Sequence, residues 1–107
     1  VLAQRKNELL KLFPDWNENL VKSYTDGKTK IFAENFFPDR SVDAWRKYSI
    51  ELFNQIGKIK TVEELEPENQ LRGHFNLVGE KGKVNVFFTL TPENPALVQE
   101  LQMRIVN

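Results

Sequence analysis

The hydrophobic pattern changes at Gly57, and this change constrains the fold more than any other feature of the sequence. Before Gly57, apolar residues recur at helical spacing, most clearly at Trp45, Tyr48, Leu52 and Ile56. After it, apolar and polar residues alternate, as they do in half-buried strands. Helices followed by a run of strands are typical of an α+β fold. The sequence therefore predicts N-terminal helices packed on one face of a curved antiparallel sheet.

The first half is predicted to hold helical segments over residues 2–13, 16–24, 30–36 and 42–56. Pro14 and the pair Pro38-Asp39 are predicted to end the first and third, since proline cannot continue a helical hydrogen-bond ladder. Asp15 is the predicted cap of the second helix, and Asp26-Gly27 its end. The fourth segment has the strongest signals, with Ser41 as N-cap and Gly57 as the C-terminal stop.

The second half is predicted to form a strand meander over residues 58–65, 71–77, 84–90 and 97–106. Residues 67–69, 79–82 and 92–95 contain the Pro, Gly and Asn that favour turns, so they are the predicted connections. The helical and strand segments together account for one domain over residues 1–107, which is an ordinary length for a single core.

Charge and composition exclude several classes of function. Fifteen basic and fifteen acidic residues are interspersed, whereas a nucleic-acid-binding protein normally gathers a basic excess on one face. The absence of cysteine excludes disulfides, thiolate catalysis and Cys-based zinc sites. No apolar run is long enough for a membrane span. A protein or small-molecule partner is therefore expected, and neither nucleic acid nor a membrane span is.

No catalytic motif is present in the sequence. There is no Gly-rich phosphate loop, no nucleophile elbow and no Ser-x-x-Lys, so we predict no catalytic residue, no metal site and no cofactor. His74 is the single imidazole and lies on the polar side of a predicted strand. It is interpreted as a half-exposed residue paired to a carboxylate across the sheet, with a ligand-contacting or acid/base role as the alternative.

Polar residues of two neighbouring strands are predicted to share one face of the sheet. Arg72, His74 and Asn76 alternate with the apolar residues of one strand, and across the hairpin the same face receives Asn85, Phe87 and Thr89. Phe87 is unusual there, because a large aromatic ring on a solvated face indicates that something covers it. This face is a site for a small ligand, the solvated side of the sheet, or a candidate interface. Trp16 is a second one, with an alternative role as a staple between two helices.

The second half, together with the fourth helix, carries a resemblance to a known family. The matching segments are 43–46, 55–59, 73–75, 79–82 and 88–95, continuing to Leu101. They resemble the NTF2-like domain found before serine hydrolases of the β-lactamase-related class. The resemblance implies a cone-shaped α+β fold whose sheet wraps around the long helix, with the Ser-x-x-Lys active site in a separate downstream domain.

Two functions are compatible with this resemblance, and a purely structural domain with no ligand is the third alternative. The first is a non-catalytic accessory module that contacts an attached domain, a neighbouring serine hydrolase or a second copy of itself. The second is a stand-alone binder of a small apolar ligand, or an isomerase-like enzyme, with Tyr24, Trp45, Tyr48 and His74 lining the cone. The compartment stays open, because residues 1–4 fit either the start of a helix or the tail of a signal peptide, which would imply a secreted or periplasmic protein.

Overall fold

The computed structural model describes residues 1–26 and 30–106, and within these residues it confirms the α+β architecture. The helices are α1 (Leu2–Leu10), α2 (Glu18–Asp26), α3 (Phe36–Asp39) and α4 (Val42–Ile56). The strands are β1 (Ile59–Val62), β2 (Glu66–Asn69), β3 (Arg72–Gly79), β4 (Lys83–Leu90) and β5 (Val98–Val106). None of the helices in these residues is long and apolar enough to cross a membrane.

Helix α4 has the start and the end that the sequence predicts. The Ser41 hydroxyl accepts a hydrogen bond from the Ala44 N–H at 3.2 Å, which satisfies one of the free donors of the first turn. At the other end Gly57 has a φ of 73°, which is favourable only for glycine, and its N–H donates to the Phe53 carbonyl. Both ends are therefore determined locally.

The strands form an antiparallel sheet in the order β1-β3-β4-β5, with β2 also pairing with β3. Its central hairpin, β3 and β4, pairs Phe75 with Val86 and Leu77 with Val84. The four side chains are buried against the helices, and the residues between them alternate to the other face. The predicted alternation is confirmed on both strands.

The predicted helix over residues 30–36 is wrong. Residues 31–33 run parallel to the start of β5, where the Val98 N–H donates to the Ile31 carbonyl at 2.6 Å and the Ala33 N–H donates to the Val98 carbonyl at 2.8 Å. Pairing with the sheet outweighs the helical spacing of the apolar residues in this short segment. Pro38, a predicted breaker, lies inside α3. Proline is tolerated there because a first-turn N–H has no acceptor within the helix, so the missing N–H of Pro38 removes no hydrogen bond.

Other boundaries also differ from the sequence-based expectations. Residues 67–69 are not a turn, because Glu66 and Pro67 of β2 pair with His74 and Gly73 of β3. Asp15 does not cap α2; the Asn17 side chain does, accepting from the Leu20 N–H at 3.1 Å. The expected stop of α2 at Asp26-Gly27 lies partly outside the described residues. Helix α1 ends at Leu10, three residues before the predicted end at residue 13.

The space between helices and sheet is filled by aromatic side chains. Trp16 is completely buried and stands 5.8 Å from Trp45, whose ring stacks on Phe36 at a centroid distance of 5.5 Å. The Trp16 indole N–H donates to the buried Ser49 hydroxyl at 2.6 Å. Trp16 thereby connects the start of α2 to α4, as the helix-staple interpretation expects, and it has no exposed surface for an interface.

Candidate functional site

Within residues 1–26 and 30–106 no helix packs on one face of the sheet, and we call it the open face. Its residues come from β3, β4 and β5, and they are Arg72, His74, Asn76, Asn85, Phe87, Thr89, Glu100, Gln102 and Arg104. The register places them in rows, for example His74 opposite Phe87 and Phe87 opposite Gln102. The six candidates from β3 and β4 therefore lie together, as the alternation predicts.

Phe87 is the centre of the open face. It is half-buried and lies in a shallow cleft of about 340 Å³ whose other walls are Glu68, His74, Asn85, Gln102 and Arg104. All five neighbours are polar or charged. An aromatic ring at the centre of a polar rim is the arrangement found at the energetic centres of protein interfaces.

His74 lies beside the cleft between two carboxylates of β2. Its Nε2 is 3.0 Å from the Glu66 carboxylate, and its Nδ1 is 3.7 Å from that of Glu68. The second oxygen of Glu68 is 3.5 Å from the Arg72 Nε. The expected pairing of His74 with a carboxylate is thus observed. These exposed polar contacts fix the side chains at the edge of the face and contribute little to folding.

A second depression runs along the outer edge of β5. This groove has a volume of about 1060 Å³ and lies between residues 99–104 of β5 and the segment from α3 into α4. On the helical side Arg40 stacks over the Trp45 ring at 4.7 Å and lies 5.8 Å from the Tyr48 ring. The Tyr48 hydroxyl donates to the backbone carbonyl of Met103.

The four predicted pocket residues are divided among three places. Trp45 and Tyr48 line the groove beside β5. His74 lies on the open face, and Tyr24 is buried in the core. Among the described residues, the buried polar or charged side chains are Arg5, Ser49 and Thr91, so the core that the structure describes contains no buried carboxylate.

Sequence reasoning did not assign five residues that complete this region. Glu68 lies in the turn predicted over residues 67–69 and Glu66 immediately before it, although the alternation of both with Pro67 and Asn69 is compatible with an edge strand. Glu100, Gln102 and Arg104 lie within the strand predicted over residues 97–106, but the sequence does not give the register that places them beside Phe87.

Glu63 has the clearest electrostatic effect near the site. Its carboxylate accepts a hydrogen bond from the Asn76 side-chain amide at 2.9 Å and lies 3.6 Å from the Lys83 ammonium. Both contacts favour the ionised form, with the Asn76 hydrogen bond as the larger cause, so the pKa of Glu63 is lowered from 4.5. The side-chain oxygen of Asn76 accepts a second hydrogen bond, from the Asn85 amide at 3.0 Å. Asn76 therefore links Glu63, in the loop after β1, to the open face.

The open face is suited to recognition by polar contacts around one apolar ring. Over residues 1–26 and 30–106, no group of three His, Asp or Glu side chains has the geometry to hold a metal ion. Compared with family models, with curated proteins and with solved structures, the chain matches none.

Proposed function

We propose that this chain is a non-catalytic, NTF2-like interaction module whose open face docks onto a serine hydrolase domain, attached to it or encoded beside it. The observation that carries the proposal is the half-buried Phe87 at the centre of a polar face that none of the described helices covers. The choice of a hydrolase as partner comes from the sequence resemblance alone.

The composition of the open face supports docking by a protein surface. A sheet face with hydrogen-bonding groups in rows can satisfy many polar groups of a partner at once, whereas a small ligand needs a concave site that encloses most of its surface. The cleft at Phe87 is shallow, and its charged walls include both signs, with Arg104 opposite Glu68. A partner side chain that enters this cleft would bury Phe87 and leave the rim hydrated.

The test begins with the reading frame that contains and surrounds residues 1–107. A hydrolase domain with Ser-x-x-Lys found there would be expressed, and its dissociation constant for this chain would be measured by calorimetry. We expect Phe87→Ala to weaken binding roughly tenfold or more, as is usual for an aromatic residue at an interface centre.

Ile50→Ala is the matched control for Phe87→Ala. Ile50 is an apolar residue of α4 that is 49% exposed and lies away from the open face. Its substitution by alanine should leave the dissociation constant for the hydrolase domain unchanged. Equal binding by the wild type and by the Phe87 variant would refute docking through this face, and a reading frame without a hydrolase would remove the proposed partner.

The groove beside β5 favours the second candidate function, small-molecule binding. It presents Trp45, Tyr48 and Arg40, a combination that can hold a planar or anionic ligand. Its openness to solvent and the filled core behind it argue against an isomerase-like site that excludes water. Saturable quenching of tryptophan fluorescence by a ligand, lost in Tyr48→Ala and retained in Phe87→Ala, would favour this second function.

A further inference from the structure

Strand β5 forms an outer edge of the sheet, and part of its backbone faces away from β4. The Tyr48 hydroxyl reaches the Met103 carbonyl from that outer side, so the backbone groups of Met103 point outward. Leu101, two residues earlier, points the same way because backbone direction alternates along a strand. By the same alternation Glu100, Gln102 and Arg104 direct their backbone groups toward β4.

In the part of the chain that the structure describes, another backbone segment pairs with the outer side of β5 only at the beginning of the strand. Residues 31–33 bond to Val98 on this side. Beyond them the groove of about 1060 Å³ runs along residues 99–104, and in the described part of the chain the N–H groups of Leu101 and Met103 have no backbone acceptor on this side. Such an edge is a template for one more strand at the usual spacing of about 4.8 Å.

We propose that this edge pairs with β5 of a second copy of the chain, antiparallel, about a two-fold axis at Gln102. In this register Leu101 of each copy is opposite Met103 of the other, so their outward backbone groups can form four hydrogen bonds. The Met103 carbonyl can keep its bond from Tyr48, because a carbonyl oxygen has two lone pairs. The proposal concerns the backbone edge of β5, which shares Gln102 and Arg104 with the walls of the Phe87 cleft, and it does not depend on the proposed function.

Charge complementarity selects this register. With the axis at Gln102, Glu100 of each copy lies opposite Arg104 of the other, which gives two ion pairs on the open face. An axis at Arg104 or at Glu100 would place like charges opposite each other, which is destabilising. An axis at Met103 would place Glu100 opposite Val106, so the ion pair with Arg104 would be lost. An axis between two residues would place each outward-facing residue of one copy opposite an inward-facing residue of the other, and their backbone groups could not form hydrogen bonds.

The neighbouring elements limit the length of the pairing. Because residues 31–33 occupy the edge at Val98, the ladder of paired residues runs over 100–104 of each copy and stops there. Arg40, Trp45 and Tyr48 of each copy would flank it on the helical side. The side chains of Glu100, Gln102 and Arg104 are exposed, so substitutions at these positions leave the core of the monomer intact.

A charge-reversal experiment tests the register directly. Glu100→Arg places Arg opposite Arg across the axis, and Arg104→Glu places Glu opposite Glu. Each variant alone should dimerise roughly tenfold or more weakly than the wild type in sedimentation equilibrium. An equimolar mixture of the two should recover dimers, because each Arg then faces a Glu. A mixture that associates no better than its components would overturn the proposal, as would a wild type that stays monomeric at millimolar concentration.

Symmetric cross-linking provides the second test, and the chain has no cysteine of its own to interfere. In a pair whose backbone groups point away from each other the Cα atoms are about 4.5 Å apart, within the range of a disulfide. Gln102→Cys should therefore form a disulfide dimer when oxidised glutathione takes up the two electrons. Gln99→Cys, in the same strand, should not, since its two copies would lie roughly 20 Å apart. Equal cross-linking of both variants, or of neither, would refute the axis.

Discussion

Two tryptophans of the core differ in how their indole N–H groups are satisfied. Trp16 donates to Ser49 at 2.6 Å with both residues completely buried. The indole N–H of Trp45 is also buried, yet no acceptor for it lies within reach in residues 1–26 and 30–106. A buried unpaired donor reduces stability, so the bond that Trp16 makes is an interaction whose removal should be measurable.

Ser49→Ala tests this buried bond. It leaves the Trp16 N–H without an acceptor in the core, and we expect the free energy of unfolding in urea to fall by about 1–3 kcal/mol. Ser23→Ala, at an exposed position of α2, is the control and should change it by less than about 0.5 kcal/mol. A similar, small effect of both substitutions would mean that the hydrogen bond contributes nothing net.

Glu63 provides a pH-dependent prediction. Since the pKa of its carboxyl is lower in the folded than in the unfolded chain, the ionised form stabilises the fold above pH 4.5, and this contribution disappears as the pH falls through the lowered value. The stability of the wild type should therefore fall more steeply than that of Glu63→Gln when the pH drops below 4.5. Urea unfolding at several acidic pH values measures this, and parallel curves would contradict the role of Asn76 and Lys83.

The residues of the open face were predictable because strand alternation depends only on neighbours in sequence. Arg72, His74 and Asn76 face one way whatever the strand pairs with. The partners of His74 were not predictable, because Glu66 reaches it through pairing of β2 with β3. Proline and asparagine in that segment favour a turn locally, and the pairing energy of an edge strand outweighs this preference.

At the scale of elements, the hairpin between β3 and β4 contacts the end of α4. The Lys81 N–H donates to the Ile56 carbonyl at 2.7 Å, and Gly79 packs directly against the same carbonyl. A Cβ at Gly79 would overlap that oxygen and would lie 3.0 Å from the Ile56 Cβ. The hairpin thus provides a partner for one of the free carbonyls at the end of the helix, and only glycine leaves room for this contact.

Gly79→Ala should separate these two elements. We expect a loss of about 1–3 kcal/mol of unfolding free energy, because the backbone must shift to relieve the overlap. Gly82→Ala is the matched control in the same hairpin, where a Cβ would meet only the Ile56 Cγ2 at an ordinary 3.5 Å. Thermal unfolding of the two variants measures the difference, and equal melting temperatures would contradict the contact.

Element prediction succeeded where local signals agree and failed where pairing decides. For α4, the Ser41 cap, the apolar period and Gly57 all indicate the same helix. Residues 30–36 have helical apolar spacing but no cap, and their burial comes from a parallel bridge to Val98, more than sixty residues away in sequence. A partner so distant leaves no sign in the segment itself.

At the scale of the whole molecule, Arg5 connects the first helix to the last loop. It is buried, its Nε donates to the Ala96 carbonyl at 2.9 Å, and its guanidinium pairs with Glu8 at 2.7 Å. The loop it contacts is closed by the Thr91 N–H, which donates to the Leu97 carbonyl. The first helix and the loop between β4 and β5 are therefore stabilised together.

Arg5→Ala should destabilise both α1 and the loop between β4 and β5. We expect a loss of about 1.5–3 kcal/mol, as for other hydrogen bonds to charged groups, together with faster amide hydrogen exchange at Thr91. Gln4→Ala, exposed on the same helix, should change neither quantity. Faster exchange confined to α1 would show that the loop does not depend on Arg5.

The two outer edges of the sheet differ, and the difference limits how large an assembly can become. Opposite β5, the edge is divided between β1 and β2, each of which pairs with β3 through an irregular register, and Pro67 has no N–H to donate. That edge is a poor template for a further strand. If copies pair through β5 as proposed, each pair presents only these poor edges for continued growth. Assembly should then stop at pairs, and concentrated solutions should stay free of filaments.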